Sequence, residues 1–138
     1  MNIINAFRKE YFFLSNFYKC NVTYNGVTFN SSEAAFQAQK CPARAREFSK
    51  LDASDAKAMG RYVTLRRDWE SVKDKTMYEI VKAKFTQNET LKERLLATGN
   101  SKLVEGNDWN DKYWGVCNGY GKNMLGKILM RIRTELKS

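Results

Sequence analysis

Three side chains on one short predicted helix have the types and spacing for acid–base chemistry on an anionic ligand. Residues 29–40 follow a β-turn signal and carry a carboxylate, an amide and an ammonium at Glu33, Gln37 and Lys40. On a helix of 3.6 residues per turn, these positions fall within about 60° of one another. Alanines line the opposite side, so another element can approach closely. The stripe is typical of a site wall, but also of an ordinary solvated surface.

Glu33 has a structural interpretation as well. Asn30 followed three residues later by Glu33 fits the logic of a capping box, in which the glutamate bonds back to the Asn30 amide. A catalytic role instead requires Glu33 to lie in a pocket, where its proton affinity can be tuned. The local pattern by itself favours capping, and it permits both roles.

The chain contains no histidine, and this removes whole mechanisms. Serine–histidine and cysteine–histidine relays, imidazole bases and histidine-based metal sites are excluded. Acid–base chemistry must therefore rest on carboxylates, lysine, tyrosine or cysteine. The 24 lysines and arginines against 15 aspartates and glutamates give a formal charge of +9, which favours nucleotides, sugar phosphates or nucleic acid as ligands.

Length and composition predict a single domain over residues 1–138, because 43% apolar residues can bury one core. The N-terminal residues lack the pattern of a signal peptide, and no apolar run reaches membrane-spanning length. Cys20, Cys41 and Cys117 are widely spaced and odd in number, which predicts reduced thiols and a cytoplasmic location.

The order of the elements predicts an α+β fold that is predominantly helical, with a small N-terminal β-hairpin. Residues 20–24 and 27–29 flank Asn25-Gly26, a two-residue hairpin signal. Helical patterns follow. They cover residues 33–40, 44–50 after Pro42, 54–59 ending at Gly60, 69–86 capped by Asp68, the stretch from Asn88 to Thr98-Gly99, and an amphipathic helix capped by Asn123 that carries Leu125, Ile128, Leu129, Ile132 and Leu136.

Three residues of the long predicted helix allow two interpretations each. Lys73 and Lys84 fall inside its apolar arc. Such lysines usually extend their ammonium groups to the surface, and alternatively they line a pocket that takes a phosphate. Trp69 in the first turn is typical of a core residue, but beside Arg66 and Arg67 it could stack on a base or sugar ring.

The irregular stretch from residue 102 to 122 holds the remaining candidates. Asp108 and Asp111 lie among aromatic residues, so we expect this loop to fold back and carry one carboxylate towards whatever it covers. Both are also ordinary turn formers. The glycine-rich approach to Asn123 could cradle phosphate at a helix N-terminus, although its spacing matches neither dinucleotide-binding nor P-loop motifs.

Five short blocks of this sequence stand in the order of a known family. They are 14–17 (LSNF), 32–40 (SEAAFQAQK), 60–61 with 67–73 (GR…RDWESVK), 84–85 (KF), and 110–115 with 121–126 (NDKYWG…GKNMLG). On these blocks the chain resembles the YbiA-like, or NADAR, family over nearly its whole length.

The resemblance implies an enzyme, an N-glycosidase of the hydrolase class that uses no cofactor and no metal. Known members cleave the bond between a ribosyl carbon and an amine or base nitrogen. Some act on ribosylamino-pyrimidine phosphates of riboflavin biosynthesis, and others remove ADP-ribose from guanine in nucleic acid. The family's catalytic glutamate maps onto Glu33, its tryptophan onto Trp69 and its aspartate onto Asp111. A family lysine coincides with Lys73, which favours the pocket interpretation of that residue.

We therefore hypothesise that Glu33 activates water or stabilises the ribosyl cation, and that Asp111 is the second catalytic carboxylate. The expected substrate is a phosphorylated ribosylamine such as a riboflavin-biosynthesis intermediate. One alternative is removal of ADP-ribose from guanine in nucleic acid, and another is a non-catalytic module that binds ADP-ribose or nucleic acid. No membrane partner is expected. The expected substrate-binding residues are Asn16, Gln37, Lys40, Arg67, Trp69, Lys73, Tyr113, Trp114 and Asn123.

Overall fold

A computed structural model describes residues 2–137 and confirms a predominantly helical α+β fold. Its strands are β1 (Ile3–Ile4), β2 (Val22–Tyr24), β3 (Val27–Phe29) and β4 (Lys102–Leu103). Its α-helices are α1 (Ser32–Ala38), α2 (Ala45–Phe48), α3 (Ala53–Met59), α4 (Trp69–Gln87), α5 (Glu89–Ala97) and α6 (Met124–Leu136), and 3-10 helices cover Lys9–Leu14 and Pro42–Arg44. Between residues 2 and 137, no helix is both long enough and apolar enough to cross a membrane.

The contacts of the chain define two compact units. The inserted unit is continuous and runs over Asn16–Glu89. The terminal unit combines the segment before Asn16 with the segment after Glu89. The single domain expected over residues 1–138 stays a prediction.

The predicted hairpin is confirmed in the inserted unit. Strands β2 and β3 pair antiparallel, with Val22 opposite Phe29. Asn25 and Gly26 have φ angles of 50° and 78°. A type I′ turn needs positive φ at both central residues, which asparagine and glycine tolerate best.

Helix α4 is held to this hairpin by side-chain hydrogen bonds. The Gln87 amide accepts from the Thr23 N–H at 2.8 Å and donates to its carbonyl at 2.9 Å. The Tyr24 hydroxyl donates to the Glu79 carboxylate at 2.6 Å. Burial, together with this bond, raises the pKa of Tyr24 to about 12. The apolar face of α4 is buried as the sequence predicted, at Thr76, Met77, Ile80, Val81 and Phe85.

Lys84 on the same helix is a fully buried charge. Its ammonium nitrogen lies 5.7 Å from the centroid of the Tyr18 ring and 5.1 Å from that of Phe85. Burial lowers the pKa of Lys84 to about 8, and the nearby Cys20 opposes this effect. The interpretation in which Lys84 extends its ammonium to the surface is therefore wrong.

The terminal unit is organised by β1, β4 and α6. Strand β1 pairs parallel with β4, with Ile4 opposite Leu103. Helix α6 has the predicted amphipathic pattern, and it buries Leu125, Ile128, Leu129 and Ile132.

Two residues predicted to cap helices make other bonds. Asp68 precedes α4, but its carboxylate accepts from the Arg66 guanidinium at 2.6 Å and makes no cap bond. Asn123 precedes α6 with a φ of 53° and also makes no side-chain cap bond. Its side chain accepts from the Glu105 N–H and donates to the Leu103 carbonyl, both at 2.9 Å. Both residues stand at the predicted N-cap positions, but neither side chain makes the expected cap bond, because other partners bind it.

Candidate functional site

The start of helix α1 fixes the position of Glu33. Ser31 is the N-cap, and its hydroxyl accepts from the Ala34 N–H at 3.1 Å. The Glu33 N–H donates to the Asn16 carbonyl at 3.0 Å. The Ser32 hydroxyl donates to the side-chain oxygen of Asn16 at 2.9 Å. The Ser31 hydroxyl and the Asn16 segment therefore hold this helix end.

The Asn30–Glu33 capping box is wrong, because Ser31 and not Asn30 is the N-cap. The Asn30 amide instead donates to the carbonyls of Ser49 and Leu51 at 3.3 Å and 3.4 Å. Contacts distant in the sequence thus take the Asn30 side chain, and its neighbour Ser31, which was not predicted, caps the helix.

Glu33 and Gln37 form a buried pair on α1. The Gln37 amide nitrogen donates to the Glu33 Oε2 at 2.7 Å. The two side chains are only 8% and 7% exposed. A short bond to a carboxylate away from water is stronger than the same bond at a surface. The predicted stripe is thus confirmed for these two positions, which are i, i+4 neighbours on one helix face.

Gly60 lies against the carbonyl oxygen, Oε1, of the Gln37 side-chain amide. The Gln37 Oε1 is buried and has no hydrogen-bond partner among the described residues. A Cβ on Gly60 would lie 2.0 Å from this oxygen and 2.8 Å from the Gln37 Cδ. Gly60 is the C-cap at which α3 ends, as the sequence predicted, and its φ of −59° is right-handed, so no positive φ requires a glycine here. Glycine is required here because the two groups approach so closely.

Lys40 shares the electrostatic environment of Glu33. Its side chain is half-buried, and its backbone carbonyl accepts from the Arg66 N–H at 2.9 Å. Burial lowers the pKa of Lys40, the Glu33 carboxylate opposes that effect, and the positive charge of Arg61 adds to it. Lys40 therefore lies within electrostatic range of Glu33.

The segment that joins α3 to α4 is rich in exposed side chains. Arg61 and Arg67 are exposed, and Tyr62 between them is 84% exposed. Arg67 was predicted to bind phosphate, and that role stays a prediction. Arg61 was not predicted, although it stands in a block of the family resemblance.

Trp69 and Lys73 lie on α4 in the same unit. Trp69 is 5% exposed and packs against Phe36 of α1, with ring centroids 5.0 Å apart. This contact fits the core interpretation of Trp69. Lys73 is 18% exposed, and its ammonium donates to the Glu70 carboxylate at 2.8 Å. Their roles in substrate binding stay predictions.

Asp111, the predicted second carboxylate, organises a turn of the terminal unit. Its Oδ1 accepts from the N–H groups of Tyr113 and Trp114 at 3.1 Å and 2.9 Å. The rings of these two aromatics meet edge to face at 4.9 Å. Asp111 thus has the contacts of a turn former, and its catalytic role stays a prediction. Trp109 of the same loop is 53% exposed, so the expectation that the whole loop folds back is wrong for this residue.

Several backbone donors in the glycine-rich approach to α6 are paired within the terminal unit. The Lys122 N–H donates to the Lys112 carbonyl at 2.8 Å, and the Leu125 N–H donates to the Trp114 carbonyl at 2.9 Å. The Met124 N–H is likewise paired within the unit, at 3.1 Å. These three donors are not available to a phosphate, and the phosphate-cradle interpretation otherwise stays a prediction. For Tyr113, Trp114 and Asn123, substrate binding stays a prediction.

Known proteins similar to this chain define its class. It is 43% identical over 133 residues to the N-glycosidase YbiA of Shigella boydii serotype 4, covering 92% of this chain and 82% of that protein. An N-glycosidase of Nostoc punctiforme is 45% identical over 87 residues, or 61% of this chain and 55% of the relative. The NMR structure of the E. coli protein YbiA matches with a TM-score of 0.87 at 40% identity, covering 99% of this chain and 85% of that one. N-glycosidases are hydrolases, and the chain is an enzyme of this class.

The family follows from a second finding. The model of the NADAR domain matches residues 5–137. The chain belongs to the NADAR family. A riboflavin biosynthesis protein of Vibrio vulnificus is 40% identical over 131 residues, but this chain spans only 35% of its length.

Proposed function

We propose that this protein hydrolyses the N-glycosidic bond of a phosphorylated ribosylamine, such as a ribosylamino-pyrimidine phosphate of riboflavin biosynthesis. The observation that carries the proposal is the Glu33 carboxylate, 8% exposed and bonded at 2.7 Å by Gln37. The names of relatives support it further, since some are N-glycosidases and another is a riboflavin biosynthesis protein.

Glu33 suits the charge that this reaction develops. As the bond between the ribosyl carbon and the nitrogen breaks, positive charge grows on that carbon and the ring oxygen. A carboxylate held in a largely water-excluded place stabilises such charge more than a solvated one. In our proposal Glu33 accepts a proton from the attacking water. The water oxygen bonds to the ribosyl carbon, and the amine leaves with the bonding electron pair. The amine gains a proton from solvent, and Glu33 returns its own proton to solvent, so that the two balance.

Lys40 is the candidate for the phosphate of the substrate. Its ammonium is half-buried and lies in the field of Glu33. Burial makes a charged lysine costly, and a phosphate ligand would offset that cost. Arg61 contributes a second positive charge to the same region.

Mass spectrometry tests the proposal directly. The protein is incubated with ribosylamino-pyrimidine phosphates, NAD, ADP-ribose and ADP-ribosylated oligonucleotides, and release of base or amine is measured. Glu33→Gln keeps the shape of the side chain and should reduce turnover by at least about 100-fold. Glu47→Gln is the matched control, because Glu47 is an exposed glutamate of the same unit that pairs with Arg44. Near-normal turnover by Glu33→Gln would contradict the assignment.

A second candidate substrate is ADP-ribose attached to guanine in nucleic acid. The observation that favours it is the exposed Tyr62 between Arg61 and Arg67, because aromatic rings beside arginines stack on bases and bind phosphates. Cleavage of ADP-ribosylated oligonucleotides, with binding that weakens steeply as salt rises, would favour this substrate. Tight binding of ADP-ribose without hydrolysis, unchanged by Glu33→Gln, would instead indicate a non-catalytic module.

A further inference from the structure

We infer that Gln37 is a positioning residue, whose amide, locked in place by Gly60, holds the Glu33 carboxylate in its reactive orientation. The inference rests on the proposed function for the role of Glu33. The sequence predicted that Gln37 binds substrate, whereas this inference assigns to it the positioning of Glu33.

Chemistry fixes which way the Gln37 amide faces. An ionised carboxylate only accepts hydrogen bonds, whereas an amide carries donors on its nitrogen and acceptors on its oxygen. The nitrogen faces Glu33 at 2.7 Å. Turning the amide over would place its carbonyl oxygen against the carboxylate and replace an attraction with a repulsion.

The carbonyl end of the amide is held by shape and not by a hydrogen bond. The Gln37 Oε1 is buried without a hydrogen-bond partner among the described residues. Leaving such an atom unpaired is costly, so the surrounding packing must enforce the arrangement. Gly60 provides that packing, because even one added carbon on it would overlap the amide.

The backbone around Gly60 is itself fixed. The Gly60 N–H donates to the Ala56 carbonyl at 2.9 Å, as the last turn of α3. A few residues later the Arg66 N–H donates to the Lys40 carbonyl at 2.9 Å, which ties the segment to the end of α1. With both attachments in place, Gly60 cannot move away from the Gln37 amide without breaking a hydrogen bond.

Reaction rates depend strongly on such orientation. A carboxylate must lie within a few tenths of an ångström of its productive position to activate water or to face a developing cation. Loss of the Gln37 amide would remove a short hydrogen bond that restricts the orientation of the Glu33 carboxylate. The loss should therefore appear in kcat, while substrate binding through other groups persists.

A double-mutant cycle tests the arrangement. Gln37→Met removes the donor at similar size, and Gly60→Ala disturbs the amide without changing any polar group. Each should lower kcat by about 10- to 100-fold with KM changed less than twofold. The double variant should lose no more than Gln37→Met alone, because Gly60 acts only through the amide. The inference would be overturned if the kcat loss of the double variant equalled the product of the two single losses, or if kcat were unchanged in Gln37→Met.

Gln39→Met is the matched control. Gln39 is a buried glutamine of the same helix region, and its amide donates to the Ala35 carbonyl at 3.1 Å. Its replacement should reduce the midpoint of thermal unfolding yet leave kcat unchanged. An equal kcat loss in this variant would show that any buried amide here matters only for folding.

A measurement without substrate separates the inference from the proposed function. In wild-type protein the side-chain amide protons of Gln37 should exchange slowly with solvent by NMR, and Glu33→Ala should accelerate this exchange at least tenfold while sparing Gln39. If no substrate is cleaved but the Gln37 amide protons exchange slowly and Glu33→Ala accelerates that exchange, the proposed function fails. The hydrogen bond by which Gln37 positions Glu33 is then still supported. Fast exchange in the wild type, or an unchanged exchange rate in Glu33→Ala, would overturn the inference that Gln37 positions Glu33.

Discussion

Replacing Lys84 with methionine should change how the stability of the protein depends on alkaline pH. Lys84 is fully buried, and burial lowers its pKa from 10.5 to about 8. One pKa unit corresponds to about 1.4 kcal/mol, so the charged form of Lys84 costs the folded state about 3 kcal/mol. Methionine fills a similar volume without a charge to bury.

The direction of the effect follows from the protons bound in each state. Below pH 8, Lys84 is charged in the folded and in the unfolded protein, and the folded state bears the full cost. Between pH 8 and 10.5 the folded protein loses this proton first, so the unfolded protein binds more protons and stability rises with pH. The advantage of Lys84→Met over the wild type should therefore shrink by about 3 kcal/mol from pH 7 to above pH 10.

Urea unfolding at pH 7, 8, 9 and 10, followed by tryptophan fluorescence, measures this difference. Other titratable groups contribute equally to the unfolding free energies of both proteins, so their contributions cancel in the difference. Cys20 is the exception. Burial raises the pKa of Cys20 while Lys84 opposes that rise. In the unfolded protein the Cys20 thiol therefore loses its proton at a lower pH than in the folded protein, which lowers stability above pH 9. Wild type and Lys84→Met are therefore compared again in a Cys20→Ala background. A difference between wild type and variant that stays constant from pH 7 to 10 would refute the reasoning.

Three further outcomes follow from contacts described above. Ser31→Ala removes the N-cap of α1 and should lower the free energy of unfolding by about 1 kcal/mol in urea titrations; an unchanged midpoint would show that the cap is dispensable. Asn123→Ala removes two side-chain hydrogen bonds to the backbone of Glu105 and Leu103. It should lower the free energy of unfolding by about 2 kcal/mol in the same assay, and a loss below about 0.5 kcal/mol would argue against both bonds. Lys40→Met should raise KM for a phosphorylated substrate about tenfold at constant kcat. Because the pKa of Lys40 is lowered, its charge is lost as pH rises through a range below 10.5, so the wild-type KM should rise there and that of the variant should stay flat.

The hairpin and the long helices could be predicted because their signals are local. Asn25 and Gly26 tolerate the positive φ angles of the turn, and β-formers flank them. The apolar spacing of α4 and α6 likewise reports one buried face in each helix. Neither signal depends on residues far away in the sequence.

Capping and close packing could not be predicted in this way. Asp68 and Asn123 have the residue types of N-caps, but a nearby arginine and two distant backbone groups take their side chains. Gly60 ends α3 as predicted, but its φ is right-handed and its close contact with Gln37 was not predicted. Competition among polar groups depends on which of them the fold brings together, and no local pattern encodes that.

The candidate site was predicted in part. Helical spacing placed Glu33 beside Gln37, and their hydrogen bond confirms it. The same local pattern favoured a capping role for Glu33, and the family resemblance was needed to prefer catalysis. The catalytic role of Asp111, the cytoplasmic location and the lack of a cofactor stay predictions.

The pairing of β1 with β4 has a consequence for the synthesis of this protein. Ile4 is translated well before its partner Leu103, because the whole inserted unit lies between them in the sequence. The segment 16–89 can therefore assemble on the nascent chain, but β1 must wait with its backbone groups unpaired. Long waiting times of this kind expose nascent strands to chaperones and to aggregation. Slow codons or a translational pause between residues 90 and 103 would lengthen that vulnerable interval.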